Sequence, residues 1–283
     1  MTPGSGPGQA MERAGEHVQL GDEETNMYTG LYAAVSGSLA HEKRLAILTN
    51  NLANANTVGF KADRPVFQVE PLPKVVGPLA VSEASPAVLT TLDRFEGRDG
   101  AQTRLSAMHT SFTQGDLRPT GNPLDVALEG RGFFAVQTAD GVAYTRQGTF
   151  SLNPEGVVVT AQGLPVLGDK GPLRLPQGKI EIDATGQVRA GSTVVDRLRV
   201  VDFTQPYALE KQGDSLFRSV GPEPPQTTKA VIRQGAIETA NVEPVRLLVA
   251  VIETSRAYEA YQKVIQAFND TAGRAVNDIA GRA

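Results

Sequence analysis

The stretch 244–283, PVRLLVAVIETSRAYEAYQKVIQAFNDTAGRAVNDIAGRA, decides the fold. Within it Leu247, Val251, Thr254, Tyr258, Tyr261, Ile265, Phe268, Ala272, Ala275 and Ile279 follow one another in steps of four and three. That heptad spacing draws one narrow seam along a long helix, as in a coiled coil. Glu253/Arg256, Glu259/Lys263, Asp270/Arg274 and Asp278/Arg282 lie on the opposite face. Each sets acid before base by three or four residues, the favourable order. So thin a stripe on so long a helix requires a partner helix to cover it.

A partner stands at the other end of the chain. Leu31, Val35, Leu39, Leu45 and Leu52 fall on one side of a helix expected from about Tyr28 to Ala53. Around them Ala33, Ala34, Ser36, Gly37, Ser38 and Ala40 are small enough for close backbone approach. Gly37 costs about 1 kcal/mol of helix propensity against Ala. Each fully buried Leu, Val or Ile contributes about 1.5–3 kcal/mol, so packing decides. Two readings stay open here: a helical hairpin that closes the chain's own domain, or an adhesive surface between copies.

With 283 residues, 40% of them hydrophobic, the chain can form one large domain or two modest ones. A net charge of −4 and a pI near 5.5 make no electrostatic case for nucleic acid. There are no cysteines, which removes disulfides, thiolate metal sites and cysteine nucleophiles. No stretch approaches the roughly 18–20 apolar residues of a membrane helix, so no membrane insertion is expected. The N-terminus lacks the charged start and apolar core of a secretory signal. Residues 1–26, rich in Gly, Pro, Glu and Gln, read as a disordered extension, with Met27 as the expected native start.

The first helix runs into an asparagine cluster, Asn50, Asn51, Asn54 and Asn56, followed by Thr57-Val58-Gly59-Phe60-Lys61. Asn and Gly tolerate the left-handed conformation that stops a helix. Residues 27–64 are thus the first half of a helical unit, and residues 239–283 the second. Residues 65–109, with Pro65, Pro71, Pro73, Pro78 and Pro86, read as an extended connector. From 110 to 238 the period becomes strand-like. The runs Phe133–Thr138, Val142–Arg146, Thr149–Leu152 and Val157–Thr160 are separated by turn signals such as Asp140-Gly141 and Asn153-Pro154-Glu155-Gly156. Further strands are expected at Lys179–Ile182, Gln187–Arg189, Val194–Phe203, Leu216–Ser219 and Ile232–Ile237. The expected class is α+β: two terminal helices pairing as a coiled-coil-like unit, with a central antiparallel all-β domain inserted between them.

No catalytic, cofactor or metal constellation emerges. Gly130-Arg131-Gly132-Phe133-Phe134-Ala135 matches a loose dinucleotide pattern, but it opens a strand where a nucleotide site needs a helix N-terminus. His17, His41 and His109 have no ligand neighbours at helical spacing, and His41 reads as a solvated surface residue. There is no G-x-S-x-G elbow. Asp125, Glu129, Glu181, Asp183 and Asp202 are carboxylates of the β region, and nothing selects a pair to flank a glycosidic bond. The sequon Asn269-Asp270-Thr271 lies in a regular helix and reads as coincidence.

The run Asn50-Asn51-Leu52-Ala53-Asn54-Ala55-Asn56-Thr57-Val58-Gly59-Phe60-Lys61 resembles the N-terminal signature of bacterial flagellar rod and hook proteins. Thr120 to Phe134 and Tyr144-Thr145-Arg146-Gln147-Gly148-Thr149-Phe150 resemble that family's middle blocks. Asn241-Val242 and Arg256-Ala257-Tyr258-Glu259 resemble its closing helix. Within the family the likeness is to proximal-rod subunits. Distal-rod proteins carry an acidic pair where this chain has Arg246-Leu247-Leu248. The resemblance implies a structural subunit without enzymatic activity or cofactor, exported through the flagellar type III apparatus without a cleaved signal. It further implies helical stacking with copies of itself and with other rod subunits in the periplasm. A distal-rod or hook-type subunit, and a rod-associated enzyme acting on peptidoglycan, are the alternatives.

Overall fold

Two helices carry the chain ends. The computed structural model describes residues 8–71, 101–176, 178–221 and 225–280, with side chains described from Gly30 onward except at 101, 227, 275, 276 and 278–280. Helix α1 spans Gly8–Ala53 and helix α2 spans Pro244–Ala280. Proline suits the first position of α2, where its missing N–H has no helical acceptor to lose. The start of α1 differs from expectation. Residues 8–26 are helical where the composition suggested disorder, because Ala, Met, Glu, Arg, Gln and Leu outnumber the three glycines and extend an already nucleated helix. Residues 1–7 of the expected extension lie outside the described residues.

The chain divides into two compact units, Met1–Leu48 with Pro65–His109 and Val249–Ala283, and Thr49–Arg64 with Thr110–Leu248. Part of the expected connector is strand. Asp63–Pro71 and Ala101–Thr110 pair as a two-stranded ribbon, while 72–100 lie outside the described residues. Both strands of such a ribbon are edge strands, which is where Pro65 and Pro71 are tolerated.

The β unit is built on a six-stranded antiparallel sheet. Its strand order is Leu209–Gly213, Leu216–Ser219, Gly141–Thr145, Phe133–Thr138, Val200–Asp202 and Gln226–Thr227. Phe133–Thr138 lies inside this sheet, and its first four residues, Phe133 to Val136, are covered on both faces, which is why they read as an unbroken apolar run. Alternation sends Phe134 and Val136 into one core with Val126, Leu128, Val158 and Leu173. It sends Phe133 and Ala135 into a second core with Tyr144, Phe203 and Phe217. Phe112 caps the second core edge-on, its ring 5.0–5.6 Å from those of Tyr207, Phe217 and Phe133.

Two expected strands are broken. Thr193–Arg197 belongs to a three-stranded sheet with Ile180–Ile182 and Gln187–Ala190, whereas Val200–Asp202 joins the large sheet. The buried Leu198 turns the chain between them, its N–H donating to Gly186 O at 2.8 Å. Ile232–Ile237 divides at Gly235. Val231–Gln234 pairs with Val126–Glu129, and Ala236–Glu238 pairs with Leu117–Pro119.

Phe134 is fully buried between strands. Phe134→Ala is expected to destabilise the β unit by about 3–5 kcal/mol, a cavity effect read from denaturant midpoints. A loss under about 1 kcal/mol would show that this core is not close-packed.

Candidate functional site

The helical unit is assembled from small residues on one side and rings on the other. Gly30, Ala34, Gly37, Ser38 and His41 share one stripe of α1. Against it α2 sets Phe268 and Tyr261. A Cβ placed on Gly37 would stand 2.6 Å from the Tyr261 ring, and one on Gly30 would stand 3.1 Å from the Phe268 ring. Gln262 Nε2 donates to Ser38 Oγ at 3.1 Å. The His41 and Tyr261 rings lie 5.4 Å apart. Gly37 is therefore required by close approach, and the ring that fills its notch repays its helix-propensity cost.

The outer side of α1 is apolar as well. Tyr32, Val35 and Leu39 are 64%, 38% and 53% exposed. Of the residues expected to form the α1 seam, Leu31, Leu45 and Leu52 are half-buried, while Val35 and Leu39 turn outward. The structure thus separates the small-residue stripe from the large-residue stripe, which sequence reading had merged. On α2, Leu247, Val251, Tyr258, Tyr261, Ile265 and Phe268 are half-buried and Thr254 is buried, whereas Val249 and Ile252 are about half exposed. The Ile279 side chain lies outside the described residues.

His41 corrects an expectation. It was read as solvated, yet four residues after Gly37 it falls on the packed stripe, and its Nδ1 is buried with no hydrogen-bond partner among the described residues. Burial pushes its pKa below the ordinary histidine value, and the neighbouring Arg44 cation pushes the same way.

In the other unit the asparagine motif is held by a buried ion cluster. Lys61, Arg146 and Glu238 are 1%, 4% and 0% exposed. Lys61 Nζ donates to Glu238 Oε1 at 2.5 Å and to Thr113 O at 2.7 Å. Arg146 donates from Nη1 to Glu238 Oε2 at 3.1 Å and from Nη2 to Gly130 O at 2.7 Å. Gly115 N–H also donates to Glu238 Oε1, at 2.9 Å. Burial pulls the Lys61 ammonium below the usual lysine range. The Glu238 charge and hydrogen bond pull it back up, and the Arg146 cation adds to the fall. One carboxylate thus serves two buried cations, and losing it leaves both unpaired.

Hydrogen bonds around the cluster tie the end of α1 to the approach of α2. Gly59 N–H donates to Glu238 O at 2.8 Å. Asn241 accepts from Ala62 N–H at 2.8 Å and donates through Nδ2 to Ser111 O at 2.7 Å. Asn51 exchanges two bonds with the Asp63 backbone, 2.8 and 3.0 Å. Lys211 reaches across to Lys61 O at 2.6 Å and Asp63 Oδ2 at 2.7 Å, with its ammonium 4.5 Å from the Phe60 ring centre. Gly59 sits at φ +68, and a Cβ there would meet the Arg146 and Gln147 backbone at 2.4 Å. Of the motif, Asn51, Gly59, Phe60 and Lys61 are buried. Leu52, Asn54 and Thr57 are half-buried, and Asn50, Ala53 and Asn56 face outward.

Sequence reading placed Lys61 in the motif and Arg146 and Asn241 in separate blocks, but missed that Glu238 joins them. Glu238 lies 177 residues from Lys61, and no periodicity connects the two. Its one local signal was a lone acid beside Ile237 in a strand. The carboxylates considered for catalysis are occupied locally. Glu129 pairs with Arg233 and Glu181 with Lys179, Asp125 accepts from Asn122, and Asp183 accepts from Thr185. Gly130 and Gly132 precede the strand Phe133–Thr138, so the glycine pattern opens no helix.

Two terminal helices with a central antiparallel β region between them along the chain define an α+β protein. Profiles of three families match this chain: Flagella basal body rod protein over residues 31–61, Flagellar hook protein FlgE/F/G D1 domain over 127–190, and Flagellar basal body rod FlgEFG protein C-terminal over 233–278. The flagellar basal-body rod protein FlgF of Caulobacter vibrioides is 35% identical over 243 residues, covering 84% of this chain and 93% of the relative. FlgF of Mesorhizobium japonicum is 34% identical, covering 82% and 90%. FlgG of Bacillus subtilis is 29% identical, covering 89% and 99%. The chain belongs to the flagellar basal-body rod protein family. It is a structural component of the flagellar basal body, working among other rod and hook–basal-body proteins.

The charge count orders two substitutions. Glu238→Gln, which leaves two buried cations, is expected to cost about 3–5 kcal/mol. Lys61→Met, which leaves a balanced Arg146–Glu238 pair, is expected to cost about 1–3 kcal/mol. Chemical denaturation of the full chain reads both, and the reverse order would contradict the cluster as described.

His41 gives a pH prediction. Its folded pKa is depressed, so the unpaired helices bind the proton more tightly. Stability of the helix pair is therefore full above about pH 6.5 and falls as pH drops through that value toward the lowered one. An NMR titration of His41 is expected to show a midpoint below 6.5; a midpoint at or above it would contradict the packing of His41.

Proposed function

We propose that this chain is a proximal-rod subunit that polymerises helically through its terminal helices. The observation that carries this reading is the two-sided character of α1. Its glycine stripe is consumed by α2, while Tyr32, Val35 and Leu39 on the outer side are apolar and remain partly exposed. Val249 and Ile252 extend the uncovered apolar surface on α2. Burying such side chains contributes about 1.5–3 kcal/mol each when a neighbour covers them. A contact between unlike faces of successive copies does not close on itself and yields a filament. The FlgF names of two relatives support the proximal position.

Export through the flagellar type III apparatus without a cleaved signal, and residence in the periplasmic part of the rod, complete the proposal. The FlgG relatives keep a distal-rod position as the second reading, which differs only in place along the axis.

Leu39→Asp places a charge on the uncovered face without touching the α1–α2 contact. The expected outcome is a subunit with unchanged helicity and unchanged denaturation midpoint that is absent from isolated basal bodies, in a non-motile strain. Wild-type motility in the Leu39→Asp strain would contradict the proposal, as would a rod containing the variant in normal amount.

A further inference from the structure

One groove on the β unit departs in charge from a chain whose formal net charge is −4. It encloses about 760 Å3 between segments 197–201 and 228–232. Leu198, Val201 and Ile232 supply buried apolar surface to it, 3%, 7% and 5% exposed. Arg197 and Arg199 flank Leu198 and both line the groove. Lys229 lines the groove from the second segment. All three cations are exposed, and none has an ion-pair or side-chain hydrogen-bond partner among the described residues. Elsewhere on this unit Lys179, Arg218, Arg233 and Arg246 are exposed and paired with Glu181, Glu210, Glu129 and Glu243, while Arg118, Arg131 and Arg174 are exposed without an ion pair among the described residues but do not line this groove. Asp169 is the one carboxylate among the described lining residues.

The groove lies at the edge of the six-stranded sheet, where the terminal strand Gln226–Thr227 covers only Val201 and Asp202. Before Val200 the backbone of Arg197, Leu198 and Arg199 is already hydrogen-bonded to Asp169, Gly186, Leu167 and Ala135, which leaves side chains to hold a ligand there.

We propose that this groove docks an extended acidic polypeptide segment in which carboxylates alternate with apolar side chains. The period of two in an extended chain sets apolar groups toward Leu198 and Ile232 and carboxylates toward Arg197, Arg199 and Lys229. The apolar floor favours a polypeptide over an anionic glycan, which has no apolar side chains. The proposal is independent of how the terminal helices assemble.

The test is fluorescence anisotropy with the full-length chain at a concentration where it is monomeric. The probes are a labelled (Val-Glu)4 peptide, a (Val-Lys)4 control and soluble peptidoglycan fragments. The expected result is saturable binding of (Val-Glu)4 alone, weakening with salt. The triple variant R197Q/R199Q/K229Q is expected to bind about tenfold more weakly. K179Q, whose ammonium is engaged by Glu181, is expected to bind as the parent does, and Asp169→Asn is expected to bind more tightly. Absence of binding, or equal binding by the triple variant, would overturn the proposal. Tighter binding of the peptidoglycan fragments than of the peptide would overturn the assignment to a polypeptide.

Discussion

The carboxylate of Glu238 is the constraint on which the β unit's hold over the chain ends depends. It is fully buried, and it is the anion for both Lys61 and Arg146. Buried ion pairs are weak sources of net stability against apolar substitutes, but costly to break. Their value here is geometric. Lys61 comes from the segment after α1, Arg146 from the end of a central strand, and Glu238 from the last strand before α2. The same alignment brings Gly59 so close to the 146–147 backbone that a Cβ there would stand 2.4 Å from it. The cluster therefore sets where one helix leaves the β unit and where the other begins.

Each terminal helix then divides its surface between two tasks. On α1 the small residues face inward, because backbone approach to Tyr261 and Phe268 needs absent or short side chains. Tyr32, Val35 and Leu39 face outward and remain partly exposed, whereas Leu31, Leu45 and Leu52 are half-buried. A monomer optimised for its own stability would place Leu39 and Val35 against α2 and glycine outside. The observed exposure of Leu39 and Val35 is what the proposed assembly through the terminal helices requires. His41 at the packed stripe is pushed toward its neutral form by burial and by the Arg44 cation.

Much of this was legible in the residues because it is periodic. The steps of four and three from Leu247 to Phe268 produced the helix and its half-buried stripe, and the run Phe133–Thr138 produced a strand with the same bounds. What was not legible depends on contacts between distant segments. The break at Leu198 follows from a hydrogen bond to Gly186, and the break at Gly235 from two different partner strands. Glu238 looked like an ordinary strand residue because its partners come from elsewhere in the chain. Val35 and Leu39 were assigned to the same face as the glycines, because helix periodicity marks apolar positions without saying which of two apolar stripes an intramolecular partner takes.

Hydrogen exchange read by mass spectrometry on the full chain carrying Glu238→Gln tests the central role of this carboxylate most directly. The account predicts that residues 54–63 and 239–241 lose protection together while the central strand Phe133–Thr138 keeps it. Undiminished protection across 54–63 in that variant would contradict it, since the asparagine motif would then be held without the charge that two cations share.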